Sequence, residues 1–192
     1  MENKKIILLD VDEVVCETGF LPLLNKFLGT SYELDDFTNY FIEEEAILDE
    51  ALRSDFYKYF ARHDSYQYAK LKPGAREVLK ELNELYDIRL CSACIISFLM
   101  EESGDFFAHK YHFLRRELPF IDLEKMILTN TKDIFRADIQ IDDRLHHLQS
   151  HIPTKYLFDA YHNRNISDSV LKSLEVERAN NWYDLGRRLI RR

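Results

Sequence analysis

The sequence predicts an α/β domain: a mostly parallel sheet with helices on both faces. Short apolar runs end on polar residues at KKIILLD, YDIRLCS, MILT, ADIQIDD and KYLFDA. Stretches with apolar residues at three- and four-residue spacing lie between several of these runs, the period of an amphipathic helix. Such alternation implies crossover helices, and crossovers join parallel strands. The chain has 192 residues, 46% hydrophobic and 31% charged, which suits one core with a small insertion.

Residues 4–9 are short and apolar enough for a buried strand. From Phe20 to about Arg62 the pattern is helical, broken at Gly29-Thr30-Ser31, with Asp35 or Asp36 placed to start the next helix. Pro73-Gly74 turns the chain, and Val78, Leu79, Leu82 and Leu85 stripe the helix that follows. IRLCS gives a strand ending at Ser92, and ISFLMEES and DFFAHKYHFLRREL read as helical. Residues 126–129, ADIQIDD and KYLFDA are three further strands, and SVLKSLEVER and WYDLGRRLIRR read as two helical stretches. The division expected is a core of residues 1–16 and 73–192, with a helical insertion at 17–72.

Several classes are disfavoured. A net charge of −8 argues against nucleic-acid polymers and anionic membrane surfaces as partners. The basic ending, Arg187, Arg188, Arg191 and Arg192, reads as cations at a helix C-terminus. No apolar run approaches the ~18–20 residues of a membrane span, and the run before Asp10 is too short for a signal peptide. Three cysteines fit a reducing compartment, so a cytoplasmic protein is expected. Five glycines at these positions form neither a dinucleotide fingerprint nor a Walker A loop.

Ligands of an open parallel sheet bind beyond the carboxyl ends of its strands. Parallel strands here would bring Asp10 and Asp12, Ser92, Thr129 to Lys132, and Asp142 with Asp143 to one edge. Carboxylates so crowded need compensating charge. Hard oxygen ligands with room for water and phosphate favour Mg²⁺.

These residues carry a resemblance. Over nearly its whole length the chain resembles the haloacid dehalogenase-like phosphohydrolases, through LLDVDEV, IRLCS, TNTK and IQIDD in that order. Within that superfamily, ILTNTKDIFRADIQIDDR and KPGAREVLKELNEL look like the 5'(3')-deoxyribonucleotidases, and residues 17–72 match a C1-type cap in position. The resemblance implies Asp10 as nucleophile and Asp12 as general acid, then base. It implies Ser92 and Lys132 as phosphate ligands. Asp10, the Asp12 carbonyl and Asp143 are the implied Mg²⁺ ligands, with Asp142 beside them. The implied substrate is a small phosphate ester, a nucleotide. A carboxylate can attack phosphorus covalently, and the spread phosphoryl charge calls for a metal and a lysine nearby. Against the pattern, Glu13 stands where many members carry glycine, Ala93 where the mammalian-type enzymes carry a second hydroxyl, and Thr18 near an expected aromatic.

Other features have plainer readings. Cys91-Ser92-Ala93-Cys94 lacks a second ligand pair for zinc and reads as strand core, with Cys94 just past it. His146-His147 reads as the first turns of a helix, one ring exposed and one packed. Glu43 to Glu45 reads as a solvated cap face. Phe20, Phe37 and Tyr40 are candidates to stack on a base, and Asn130 to touch substrate; Arg144 either does so or pairs structurally. Two further readings stay open: a sugar phosphate as substrate, or a catalytically idle nucleotide-binding module.

Overall fold

Ile6–Leu9 forms the central strand, β1, buried on both faces as its unbroken apolar run requires. A computed structural model of the chain describes residues 4–93 and 103–190. After β1 come β2 (Cys16–Glu17), α1 (Phe20–Leu28), α2 (Ile42–Ala46), α3 (Glu50–Ala61) and β3 (Lys70–Leu71). Then follow α4 (Ala75–Leu85), β4 (Asp87–Ser92), α5 (Ser103–Glu117), β5 (Ile127–Leu128) and β6 (Ile139–Asp142). The chain closes with β7 (Thr154–Phe158), α6 (Asp168–Ser173), β8 (Glu177–Ala179) and α7 (Trp182–Leu189).

Six strands form one sheet in the order β5-β4-β1-β6-β7-β8, each neighbour parallel to the next. The α/β reading therefore holds. Side chains alternate across β1. Ile7 and Leu9 join the main core with Val78, Leu79, Leu82, Trp182 and Leu185 from α4 and α7. Leu8 faces the other way, onto Cys91 and Ile152. Leu9 is in register with Leu90 on one side and Ile141 on the other, so the carboxyl ends of β1, β4 and β6 are level.

Between β1 and α4 the helical segment gathers its own apolar cluster: Leu23, Leu24, Phe37, Ile42, Ile47, Phe56 and Phe60. The antiparallel pair β2–β3 ties the strand that leaves for this segment to the strand that returns. Tyr66 nevertheless packs in the main core, and Phe106 of α5 packs against both clusters.

Three expectations change. The helix expected from Asp35 or Asp36 is broken: Leu34–Asp36 is one 3₁₀ turn, closed by Asp36 accepting from the Glu33 N–H at 2.8 Å. Glu45 accepts from Thr38 and Asn39 N–H groups, and α3 starts only after its Asp49 cap. SVLKSLEVER is not one helix. The α6 helix ends at Ser173, Glu175 takes a left-handed φ of 54°, and β8 pairs with β7. The open edge of β7 rewards pairing more than helix propensity does. His146 and His147 lie in a single 3₁₀ turn at Leu145–His147. ISFLMEES falls almost wholly outside the described residues, as do Cys94, Arg191 and Arg192.

Candidate active site

The level strand ends bring the expected acids together. Asp10 follows β1, and its N–H donates to the Ile141 carbonyl at 3.0 Å, which locks it beside β6. Asp142 closes β6 and Asp143 follows; both are buried. Lys132 approaches from the segment after β5. Its Nζ lies 2.9 Å from Asp10 Oδ1 and 2.7 Å from Asp142 Oδ2.

The charges in this cluster are unequal. Burial lifts the Asp10 carboxyl above its ordinary range, against the pull of Lys132 and with the help of Asp142 and Asp12. Burial and the neighbouring Asp10 and Asp142 push Asp143 well up. Asp142 goes the other way: burial would raise it, but Lys132 and His147 outweigh burial and hold it down. Burial opposes the Lys132 charge too, and the two carboxylates overcome it, raising its pKa. One ammonium thus serves three buried acids, which leaves the cluster short of positive charge.

One carboxylate oxygen from each of Asp10, Asp142 and Asp143 falls within 4.8 Å of the other two. An all-oxygen set of this size and charge fits a hard divalent cation. Both Asp142 oxygens are already engaged: Oδ2 accepts from Lys132, and Oδ1 accepts from the Arg144 N–H and faces His147. Asp143 is held by fewer partners. Its Oδ2 lies 2.8 Å from His162 Nε2, and Asn163 donates to its carbonyl at 2.8 Å. Burial, then Arg144 and Lys72, lowers His162 to about 4, so the ring is neutral at neutral pH.

Asp12 stands apart from the three-acid cluster. Its Oδ2 accepts from Lys110 at 2.7 Å and its Oδ1 from the Tyr66 hydroxyl at 2.5 Å. Ser92, at the end of β4, is also within reach of Lys110, at 2.6 Å. Lys110 was missed in the sequence because a lysine on a helix is ordinarily solvated. The visible sign is its place in the stripe Phe106, Lys110, Phe113, Leu114, where an apolar residue belongs. Tyr66 and His162 carried no sequence signal, since their roles depend on tertiary approach.

A cleft of about 1060 Å³ opens over this edge, lined by Asp12 on the core side and Phe20 and Tyr40 on the helical side. Asn130 also lines it. The Tyr40 ring carries the Arg144 guanidinium at 4.1 Å and meets His162 edge-on. Phe37 does not line the cleft; it is buried in the helical segment's own core against Tyr32. Glu43 corrects the expectation of a solvated acidic face. It is 3% exposed, lines the cleft and accepts from the Tyr57 hydroxyl. Glu13 adopts φ 58° and turns its carboxylate inward, where Lys72 pairs with it at 3.3 Å and the Thr18 N–H approaches at 3.4 Å.

The chain matches the family model described as 5' nucleotidase, deoxy (pyrimidine), cytosolic type C protein over residues 4–191. It is 28% identical over 193 residues to a 5'(3')-deoxyribonucleotidase of Bacillus subtilis, covering 97% of this chain and 99% of that one. A 5'(3')-deoxyribonucleotidase of Bacillus phage SPbeta matches to the same extent. Among solved structures, one from Thermotoga maritima aligns with a TM-score of 0.57 at 15% identity, over 97% of this chain and 99% of that one. A haloacid dehalogenase-like family hydrolase from Xanthomonas campestris aligns at 0.50 and 11% identity, over 100% and 96%. At such identities the structural likeness bears on fold alone.

Proposed function

This chain belongs to the 5' nucleotidase, deoxy (pyrimidine), cytosolic type C family, and from that premise we propose that it is a Mg²⁺-dependent phosphomonoesterase acting on deoxynucleoside monophosphates. The observation that carries the reading is the Lys132 ammonium between Asp10 and Asp142, with Asp143 beside them. It gives a buried carboxylate a fixed direction, and it gives an incoming phosphoryl group a cation.

In this reading an Asp10 oxygen attacks phosphorus, the bond to the ester oxygen breaks, and an aspartyl-phosphate forms. Asp12 gives a proton to the leaving alkoxide. It then takes one from the water that attacks the same phosphorus, which frees Asp10 and inorganic phosphate. Ser92 and Lys132 hold the phosphoryl oxygens. Asp10, Asp143 and the Asp12 carbonyl would hold Mg²⁺, with Asp142 steadying Lys132 beside them. When bound, the ion supplies positive charge against the phosphoryl oxygens. Residues 17–72 act as the cap over the leaving group, where Phe20 and Tyr40 offer aromatic faces to a base. The compartment proposed is the cytoplasm.

Phosphate release tests this, with and without Mg²⁺, over dUMP, dTMP, their ribose and 3' counterparts and several sugar phosphates. Mg²⁺-dependent turnover peaking on deoxynucleotides, abolished in a folded Asp10→Asn protein, is the expected result. A peak on a sugar phosphate overturns the nucleotide assignment and keeps the chemistry. Nucleotide binding with no turnover identifies an idle binding module.

A further inference from the structure

Lys110 is 0% exposed on α5, an odd place for an ammonium unless it has a task. Its three N–H donors meet three acceptors: Asp12 Oδ2 at 2.7 Å, Ser92 Oγ at 2.6 Å and the Ala93 carbonyl at 2.7 Å. The rings of Phe106 and Tyr66 stand 5.2 and 5.8 Å away. An ammonium with three N–H groups so engaged has none to turn toward a phosphate. It instead ties the segment after β1 to the end of β4.

Two consequences follow for the reacting groups. Asp12 has both oxygens held, one by Lys110 and one by the Tyr66 hydroxyl, so its carboxyl plane is fixed beside the cleft. Ser92 Oγ accepts from Lys110, while its own hydrogen reaches the Ala93 carbonyl only at 3.5 Å. That hydrogen is therefore available to a phosphoryl oxygen.

We propose that Lys110 and Tyr66 are positioning residues that hold Asp12 where it exchanges protons with the leaving alcohol. The inference rests on the phosphomonoesterase reading above. Neither residue touches the substrate; both act through Asp12, and Lys110 also acts through Ser92.

The leaving group separates this role from a structural one. A nucleotide's alkoxide needs a proton as it departs, whereas p-nitrophenolate departs without one. The parameter to compare is kcat/KM, because it reports the first chemical step and not the later hydrolysis. Lys110→Met is expected to lower kcat/KM for dUMP by about 10²-fold, within the usual range for a positioned acid. For p-nitrophenyl phosphate, which does not call on the acid, only the loosened Ser92 contact counts, and the loss is expected to stay within about fivefold. Tyr66→Phe, which removes one hydroxyl and strands no charge, is expected to give the same inequality at smaller size. It carries the test should Lys110→Met not fold.

Equal losses on the two esters in both variants overturn the proposal. So does a rise in KM for both esters at unchanged kcat. A wild-type protein silent on both esters, and indistinguishable from Asp10→Asn, overturns the phosphomonoesterase reading itself.

Discussion

Lys132 Nζ lies 2.9 Å from Asp10 Oδ1, and both side chains are nearly closed to solvent. The same ammonium reaches Asp142 at 2.7 Å. Removing it leaves buried acids with no cation. Lys132→Met is expected to destabilise the metal-free protein by about 3–5 kcal/mol, the usual result of breaking a buried pair. Urea unfolding with and without Mg²⁺ measures this, and added Mg²⁺ is expected to recover part of the loss. An unchanged midpoint without metal would show that the pair adds nothing.

The Mg²⁺ proposed for the cluster of Asp10, Asp142 and Asp143 can be tested through stability, without catalysis. At about a hundredfold excess over its dissociation constant, the ion is expected to add ~2.7 kcal/mol to wild-type stability. Asp143→Asn is expected to abolish that increment. Thermal unfolding across a Mg²⁺ titration checks it, and an undiminished increment in the variant removes Asp143 from the ligand set.

Glu43 predicts a pH dependence. Burial raises its carboxyl above the ordinary 4.5, against the Tyr57 hydrogen bond. A raised carboxyl favours the folded state below the unfolded pKa and loses that contribution as pH rises through the folded value. At neutral pH the wild type therefore bears the cost of a buried charge. Glu43→Gln keeps an acceptor for Tyr57 and sheds the charge, so it is expected to gain about 1 kcal/mol at pH 7. The gain should shrink toward pH 4, as comparison of unfolding midpoints at the two pH values will show.

Glu13 sets two effects against each other. Its left-handed φ of 58° costs about 1–2 kcal/mol for a residue with a side chain. Glycine would remove that cost but leave Lys72, whose side chain is 14% exposed, without its partner. Losing one side of a largely buried pair costs more, about 3 kcal/mol or above. Glu13→Gly is expected to be less stable than wild type, and Glu13→Gly/Lys72→Met more stable than Glu13→Gly. Chemical denaturation of the set tests the order; a stabilised single variant would show that backbone strain dominates.

The sheet and the acids at its edge were legible in the local pattern of residues. An apolar run that stops on Asp10, and another that stops on Asp142, must place those acids level once the strands run parallel, because backbone pairing fixes the register. Lys132 was legible for the same reason, standing between two strand runs whose ends share that edge. Local pattern failed in two ways: β8 formed because β7 offered an open edge, and the helix near Asp36 broke on its own short-range side-chain caps. Which charges lie inside depended on how the elements pack together. Glu43 reads as a surface residue and Lys110 is not among the candidates the sequence singles out, yet each is buried because polar groups from other elements reach it: Asp12 and Ser92 for Lys110, Tyr57 for Glu43. Burial of a charge depends on partners brought from elsewhere in the chain, and no local spacing encodes them.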